Sequence, residues 1–548
     1  MKKILIPILG MTTLLFFNSC SDDFLDVNKN VNEAYTNQVT PKDRLGAAET
    51  VVFRTQGNTM NRFGNLMMNA WAGNIYYYAS PYGDEFRMRA DSQFYDNIWD
   101  NLYLGVSNLQ AVIDAPESAK YPHHVAVAKV MKAYYMQMIV DLYNDVPYTE
   151  AFKGQANKNP KYDKAKDVYK GLLAELNQAL ALIPQTPSSS NYNLAFAEDP
   201  IFLGSGTTQD LATWRTFWTQ MANTVKLKML VRLSNCTDPE VITWRNAELL
   251  AMAPLTSNPA NFISADVKIQ PGFNPNALDQ RNPFYANFGR IDIDAGDIGA
   301  GFRQTFASEH IINSLKGLTT ETSGVSDGRI SRLFIGRGLG SPSNAAANVI
   351  GQPQGGTKQS GKAEGDFATL GLFMAFTNGS TGPNTSTALA SNPGLVLTLS
   401  EVRFLQAEAA VVYPTTMAFN AQTSFNQGIT ESFETFTRPA SGAAASAAYL
   451  TAIAAKPGMG WAATANKIQA IQYQKWVALT NINPTETYIS YTKTGFPQLP
   501  MPQGAYYSSR PKRLMYPQSE YISNTANVPN PSIDDMYNIN AYSPFWLK

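Results

Sequence analysis

The stretch from Val125 to Gln155 puts the tightest constraint on the fold. Val127, Val130, Tyr134, Met138 and Leu142 recur three and four residues apart. That spacing lines apolar side chains along one face of an α-helix. Asn144 and Pro147 end the pattern. After the loop NKNPKYD it returns in Ala165, Val168, Leu172, Leu176 and Leu180. Two amphipathic helices joined by a short connection bury their faces on each other, and a series of such hairpins stacks into a helical solenoid. No strict consensus of about 34 residues occurs, so the array is inferred from the hairpin and not from a repeat.

Other segments read as helices by the same criteria. Thr40, Pro41 and Asp43 form a start signal ahead of Leu45, Ala48 and Val52. Trp99–Ile113 reads as a helix ended by Pro116. Asp210 suits the cap of LATWRTFWTQMANTVKLKMLVRLS, whose Trp218, Met221, Val225 and Met229 share a face. Lys226, Lys228 and Arg232 fall near the C-terminal end of that helix, where its dipole favours cations. Ser400 is the expected cap of LTLSEVRFLQAEAAVV, whose Ala407, Ala409 and Ala410 would let a neighbour approach closely. Lys467–Thr480 is the last clear helix. Residues 238–299 and 336–394, rich in Asn, Pro, Gly, Ser and Thr, read as long irregular loops. The fold class is therefore all-α, a scaffold of helical hairpins with long irregular loops packed on one side.

The N-terminus reads as an export signal. Lys2 and Lys3 precede an uncharged apolar run, Ile4–Phe17, which is too short to span a bilayer and is followed by Ser19 and Cys20. Residues 1–19 are the expected signal peptide, 20–39 the lipid anchor and tether, and 40–548 a single ligand-binding domain. A cysteine in this place resembles a bacterial lipobox, in which Cys20 carries acyl chains. Each buried methylene contributes about 0.8 kcal/mol, so several chains hold firmly. Ser21, Asp22 and Asp23 resemble the acidic signal that sends lipoproteins to the outer face of the outer membrane. Acidic and basic residues balance at 43 each, so the chain lacks the clustered charge that nucleic acid requires. Cys236, the other cysteine, is expected to be a buried apolar residue.

A catalytic reading needs a constellation, and no H-E-x-x-H, C-x-x-C or G-x-S-x-G occurs. His123 and His124 are neighbours that point in different directions on a helix, and they read as helix-start residues. Asp141 and Asp145 are four apart, a spacing that paired glycosidase carboxylates could use, but turn-ordering roles fit them better. GRGLG at Gly336–Gly340 lacks the flanking strand and helix of a phosphate loop. Asp292, Asp294 and Asp297 only superficially follow a calcium loop, with Arg303 where a glutamate is needed. No metal and no cofactor is expected.

The best positive signal is WAGNIYYYASPYGDEF, read as a helix end followed by an aromatic loop. Flat rings stack on the C–H faces of sugars, while carboxylate, guanidinium and phenol groups bond the hydroxyls. Trp71, Tyr76, Tyr77, Tyr78 and Tyr82, with Asp84 and Arg87, are the candidate ligand-binding residues. The same surface would also grip an extended peptide.

Several blocks together resemble the SusD/RagB family of nutrient-binding outer-membrane lipoproteins, in particular its second branch. They are SCSDDFLDVN, AKVMKAYYMQMIVDLYNDVPYTEAF, NPKYDKAKDVYKGLLAELNQAL, FWTQMANTVKLKMLVRLSN, LTLSEVRFLQAEAA, IQYQKWVALT, GFPQLP and RLMYPQSEYISN. Asn144 stands where the family often has glycine, and Asn tolerates positive φ next best. The resemblance implies a core of tetratricopeptide-type hairpins, lipidation at Cys20 and a site facing the cell exterior. It also implies a partner SusC-like TonB-dependent transporter, over which the protein acts as a lid. The expected ligand is an extracellular oligosaccharide, with an oligopeptide second. The chain is not expected to be an enzyme; a surface glycoside hydrolase is the alternative of another class.

Overall fold

A capping box opens the first helix: Thr40 N–H and Thr40 Oγ1 both donate to Asp43 Oδ2, at 2.9 and 2.6 Å. The protein is described by a computed structural model covering residues 39–292, 297–336, 350–371, 389–437 and 442–548. Cys20 and its tether lie outside these residues, as do residues 337–340 of GRGLG and the centre of the Asp292–Asp297 segment.

The long helices are α1 (Pro41–Thr55), α2 (Asp96–Ile113), α3 (Pro122–Tyr143), α4 (Ala165–Leu182), α5 (Leu211–Arg232) and α6 (Pro239–Met252). They continue with α7 (Leu399–Val412), α8 (Ala421–Thr437), α9 (Gly442–Ile453), α10 (Lys467–Leu479) and α11 (Pro484–Thr494). Helices α1 to α5 pack in sequence order, each on the next, and α7 to α11 form a second set joined to the first through α5 and α7. This is the tetratricopeptide-like helical architecture the hairpin pattern predicts. Every residue of α3 from Pro122 to Tyr143 except Lys129 is buried, so its polar residues must find partners inside. Gly64, in the short helix Asn61–Met67, allows α11 to cross: a Cβ there would stand 2.3 Å from the Pro484 backbone.

Short strands tie the loops to this frame: β1 (Trp71–Gly73), β2 (Val267–Ile269), β3 (Arg290–Asp292), β4 (Asp297–Ile298), β5 (Thr305–Ala307), β6 (Phe334–Gly336), β7 (Ala368–Leu370) and β8 (Gly394–Leu397). They pair antiparallel as β1–β5, β2–β8, β3–β4 and β6–β7.

Several local expectations need correction. Residues 238–299 are not all loop, because Asp238 accepts from Glu240 N–H and Val241 N–H and starts α6, with Pro239 at its first position. The cap of α7 is Thr398, which accepts from Glu401 N–H, while Ser400 is buried within the helix. Beyond α10 lie α11 and the short helix Gln518–Ser523. Asn144 does take positive φ (68°), but with ψ −113° it lies outside the left-handed helical basin.

The largest correction concerns the cations of α5. Lys226, Lys228 and Arg232 do not serve the helix dipole at a solvated end; they are buried and paired. Lys226 meets Glu248. Lys228 bridges Glu401 and Glu486 at 3.0 and 2.9 Å, and Arg232 bridges Asp141 and Glu486 at 3.1 and 2.8 Å. Lys475 joins Glu486, and Lys493 joins Glu408. Four cations thus face four carboxylates between α3, α5, α7, α10 and α11. Burial alone would raise the Glu486 pKa, but Arg232, Lys228 and Lys475 outweigh it and hold the carboxyl well below its usual range. Lys493 does the same for Glu408, less strongly. Burial wins at Asp141, pushed up to about 6 against Arg232 and Tyr169.

Candidate functional site

The site grows from β1. After the helix Asn61–Met67 the chain turns through Asn69, at φ 50°, and pairs Trp71, Ala72 and Gly73 with Ala307, Phe306 and Thr305. Gly73 has no room for a side chain, since a Cβ would stand 2.5 Å from Pro81 Cγ. The loop 74–81 therefore folds back on its own root. Asn74 is buried beneath it, and its side chain makes four hydrogen bonds. Its Oδ1 accepts from Tyr76 N–H and Tyr77 N–H, both at 3.2 Å, and its Nδ2 donates to Arg303 O at 2.8 Å and Glu364 Oε1 at 2.9 Å. One side chain thus joins three segments far apart in sequence.

The tyrosines divide by depth. Tyr77 is 56% exposed, and Tyr78 meets it edge-on with centroids 4.9 Å apart. The Arg303 guanidinium stands 5.4 Å from the centre of the Tyr77 ring. Tyr76 is half-buried. Its Oη accepts from Gln359 N–H at 3.0 Å, its ring packs on Phe367 at 5.0 Å, and Lys358 Nζ lies 5.3 Å from its centroid. The result is a ridge of phenol rings flanked by two cations and the Glu364 carboxylate. Such a ridge can cover an apolar ring face and bond hydroxyls along its edge.

Other residues of the expected set lie elsewhere. Trp71 is fully buried: its ring packs on Phe288 at 4.8 Å and its Nε1–H donates to Asn481 Oδ1 at 2.7 Å. Tyr82 is also buried, its Oη 2.6 Å from Thr305 Oγ1, and burial pushes its pKa well up. Neither ring presents a face to solvent: the pairing of β1 with β5 turns Trp71 inward, and Tyr82 is buried against Thr305. Asp84 and Arg87 are exposed on the short helix Gly83–Arg87. Among the described residues no hydrogen bond joins their side chains to Tyr76–Tyr78. Arg87 O instead accepts from the N–H of Tyr506, whose ring is 67% exposed. Arg303, Lys358 and Glu364, which sequence reasoning did not single out as binding residues, complete the ridge. Nothing local marks them, since they reach the loop through β1–β5 pairing, the Asn74 bonds and the bond of Gln359 N–H to Tyr76 Oη.

The acid and imidazole groups weighed for catalysis are spent on structure. His123 Nε2 lies 2.8 Å from Gln185 O, and His124 Nε2 lies 2.9 Å from Glu198 Oε2. Asp141 accepts from Tyr169, Trp546 and Arg232. Asp145 accepts from Ala165 N–H and Lys164, fixing the hairpin turn. Cys236 is buried and free.

The family described as SusD-like, "starch-binding associating with outer membrane", matches residues 33–517. The chain belongs to the SusD-like family. Nutrient binding at the outer membrane is the role of that family. Among solved structures, a SusD homologue from Bacteroides fragilis is 20% identical, with 89% of this chain and 94% of that one covered and a TM-score of 0.60. A SusD/RagB family protein from Bacteroides thetaiotaomicron is 16% identical over 89% and 95% of the two chains, with a TM-score of 0.63. A chitin-binding protein is 19% identical over 88% and 95%, with a TM-score of 0.59. No curated protein matches the sequence. At these identities the structural likeness concerns the SusD-like fold. Among the described residues, no helix of this SusD-like protein is long and apolar enough to cross a membrane.

Proposed function

We propose that this SusD-like protein is a cell-surface lipoprotein that binds an extracellular oligosaccharide at the Tyr76–Tyr78 ridge without cleaving it. The observation that carries the reading is the exposed Tyr77 ring, braced edge-on by Tyr78 and flanked by Arg303. The family's starch-binding description and a chitin-binding protein of the same fold favour glycan over peptide. Acyl chains on Cys20 hold the protein at the outer membrane, facing outward. Bound glycan passes to a TonB-dependent transporter of the SusC type, over which the protein moves as a lid.

Isothermal titration with a panel of oligosaccharides and oligopeptides tests the ligand class. Binding of oligosaccharides that Tyr77→Ala weakens supports the reading; binding of peptides alone replaces it with the oligopeptide alternative. Shortening of an oligosaccharide by the purified protein would end the binding-only account. Cys20→Ala should release the protein from membranes, and a variant that stays in the outer-membrane fraction refutes the anchor. A transporter that co-purifies from native membranes would support the lid.

A further inference from the structure

A hollow of about 460 Å³ opens beside the C-terminal end of the short helix Glu309–Leu315. Small-molecule pockets commonly enclose about 300–1,000 Å³. Leu315, Leu318 and Ile330 give this one its apolar lining, and Lys316 and Asp327 are its charged residues. The helix ends in a Schellman turn. Gly317 takes φ 74°, its N–H donates to Ser314 O at 3.1 Å, and Leu318 N–H donates to Asn313 O at 2.8 Å. Asp327 N–H donates to Leu315 O at 2.7 Å, so the final carbonyls of the helix are taken up within the chain. An apolar residue in the place of Leu318 usually tucks back on the helix it follows. Here one residue it would meet is Asn313, and Leu318 stays 67% exposed.

The two charged residues differ in what they have left to give. Asp327 is buried and spent: its carboxylate accepts from Arg329 Nε at 3.0 Å and from Arg329 Nη2 at 2.6 Å. Lys316 is not. Among the described residues no hydrogen bond or ion pair engages its ammonium. Partial burial holds its pKa below the ordinary lysine value, and no acidic neighbour offsets that. An apolar hollow beside one unmatched cation is complementary to a ligand with an apolar body and one negative charge. We propose that this hollow is a ligand site for an aliphatic monocarboxylate, whose alkyl chain lies on Leu315, Leu318 and Ile330 while its carboxylate pairs with Lys316. The site shares no residue with the tyrosine ridge.

The lining selects that class. No aromatic ring lines the hollow, so a sugar would find no flat face to stack on. A cationic ligand would meet the Lys316 ammonium. A dianion would bring a second charge that nothing there balances, since Arg329 is already bound to Asp327. A peptide would bring amides that need donors and acceptors. The remaining polar side chains are Ser326 and Ser331, and Ser331 Oγ already donates to Gly328 O at 3.2 Å. Methylene groups make no such demand and gain by leaving water.

Calorimetric titration of the full chain carrying Cys20→Ala tests the site with neither acyl chains nor detergent to compete. Octanoate is the probe, and 1-octanol, octylammonium and N-acetyl-leucyl-leucine are the comparisons. Octanoate should bind, and more tightly than octylammonium or the dipeptide. Adding Lys316→Met, which keeps the apolar stem and removes the charge, should weaken octanoate about three- to tenfold and leave 1-octanol unchanged. Leu318→Ala should weaken octanoate and 1-octanol alike, by about three- to tenfold. Both side chains reach solvent, so the urea midpoints of the two variants should match that of the parent. The proposal is overturned if octanoate does not bind, if either substitution leaves its affinity unchanged, or if octylammonium or the dipeptide binds as tightly as octanoate.

Discussion

At the scale of single residues, ring depth separates the roles of neighbouring aromatics. Truncating Tyr77 removes exposed surface, so Tyr77→Ala should leave the urea midpoint almost unchanged, within about 0.5 kcal/mol. The same change should cost glycan binding about 2 kcal/mol, roughly thirtyfold in affinity by titration. Trp71→Ala should do the reverse. It opens a core cavity and should lower stability by about 3–5 kcal/mol. Asn74→Ala removes the side-chain acceptor of Tyr76 N–H and Tyr77 N–H and the donor to Arg303 O and Glu364. It should reduce both stability, by about 1–3 kcal/mol, and affinity. The sequence announced the density of rings between Trp71 and Tyr82 but not their direction. Direction depends on β5, more than 200 residues further along, and no local pattern encodes that pairing.

At the scale of elements, hairpins and caps were legible because they are local. Thr40, Asp210 and the three-and-four spacing of α3 and α4 each act within a few residues of themselves. Thr398 escaped notice because Ser400 stands two residues later and is an equally good capping residue type. The buried charges escaped for a different reason: Arg232 draws its partners from residues 141 and 486, on two other helices. Removing one member of such a group leaves the others buried and underpaired. Glu486→Gln should therefore cost about 3–5 kcal/mol in chemical denaturation, although the change is nearly isosteric. Gly64→Ala should strain the crossing of α11 and cost about 1–3 kcal/mol.

For the whole molecule, pH reports on the same charges. Glu486 and Glu408 have folded pKa values below the 4.5 of the unfolded chain. Their contribution is complete above about pH 4.5 and is lost as pH falls beneath it. Asp141 runs the other way. Its pKa rises from 3.8 to about 6 on folding, so its contribution is greatest below 3.8 and is lost as pH rises through 6. The denaturation midpoint should drop below pH 4.5, and less steeply in Glu486→Gln; an equal slope in the variant would place the acid sensitivity elsewhere.

The last residues of the polypeptide also close on its first half. Trp546 Nε1–H donates to Asp141 at 2.8 Å, Tyr537 bonds Met88 O, and Arg510 Nε–H donates to Met67 O at 2.5 Å. A nascent chain emerging N-terminus first therefore cannot finish its interior until its final segment arrives. Tyr537 and Trp546 thus act as a latch on helices and loops laid down more than 400 residues earlier. Clipping the last three residues should leave a chain that exposes apolar surface to dye and yields to protease, even though every helix of the scaffold is still encoded in it.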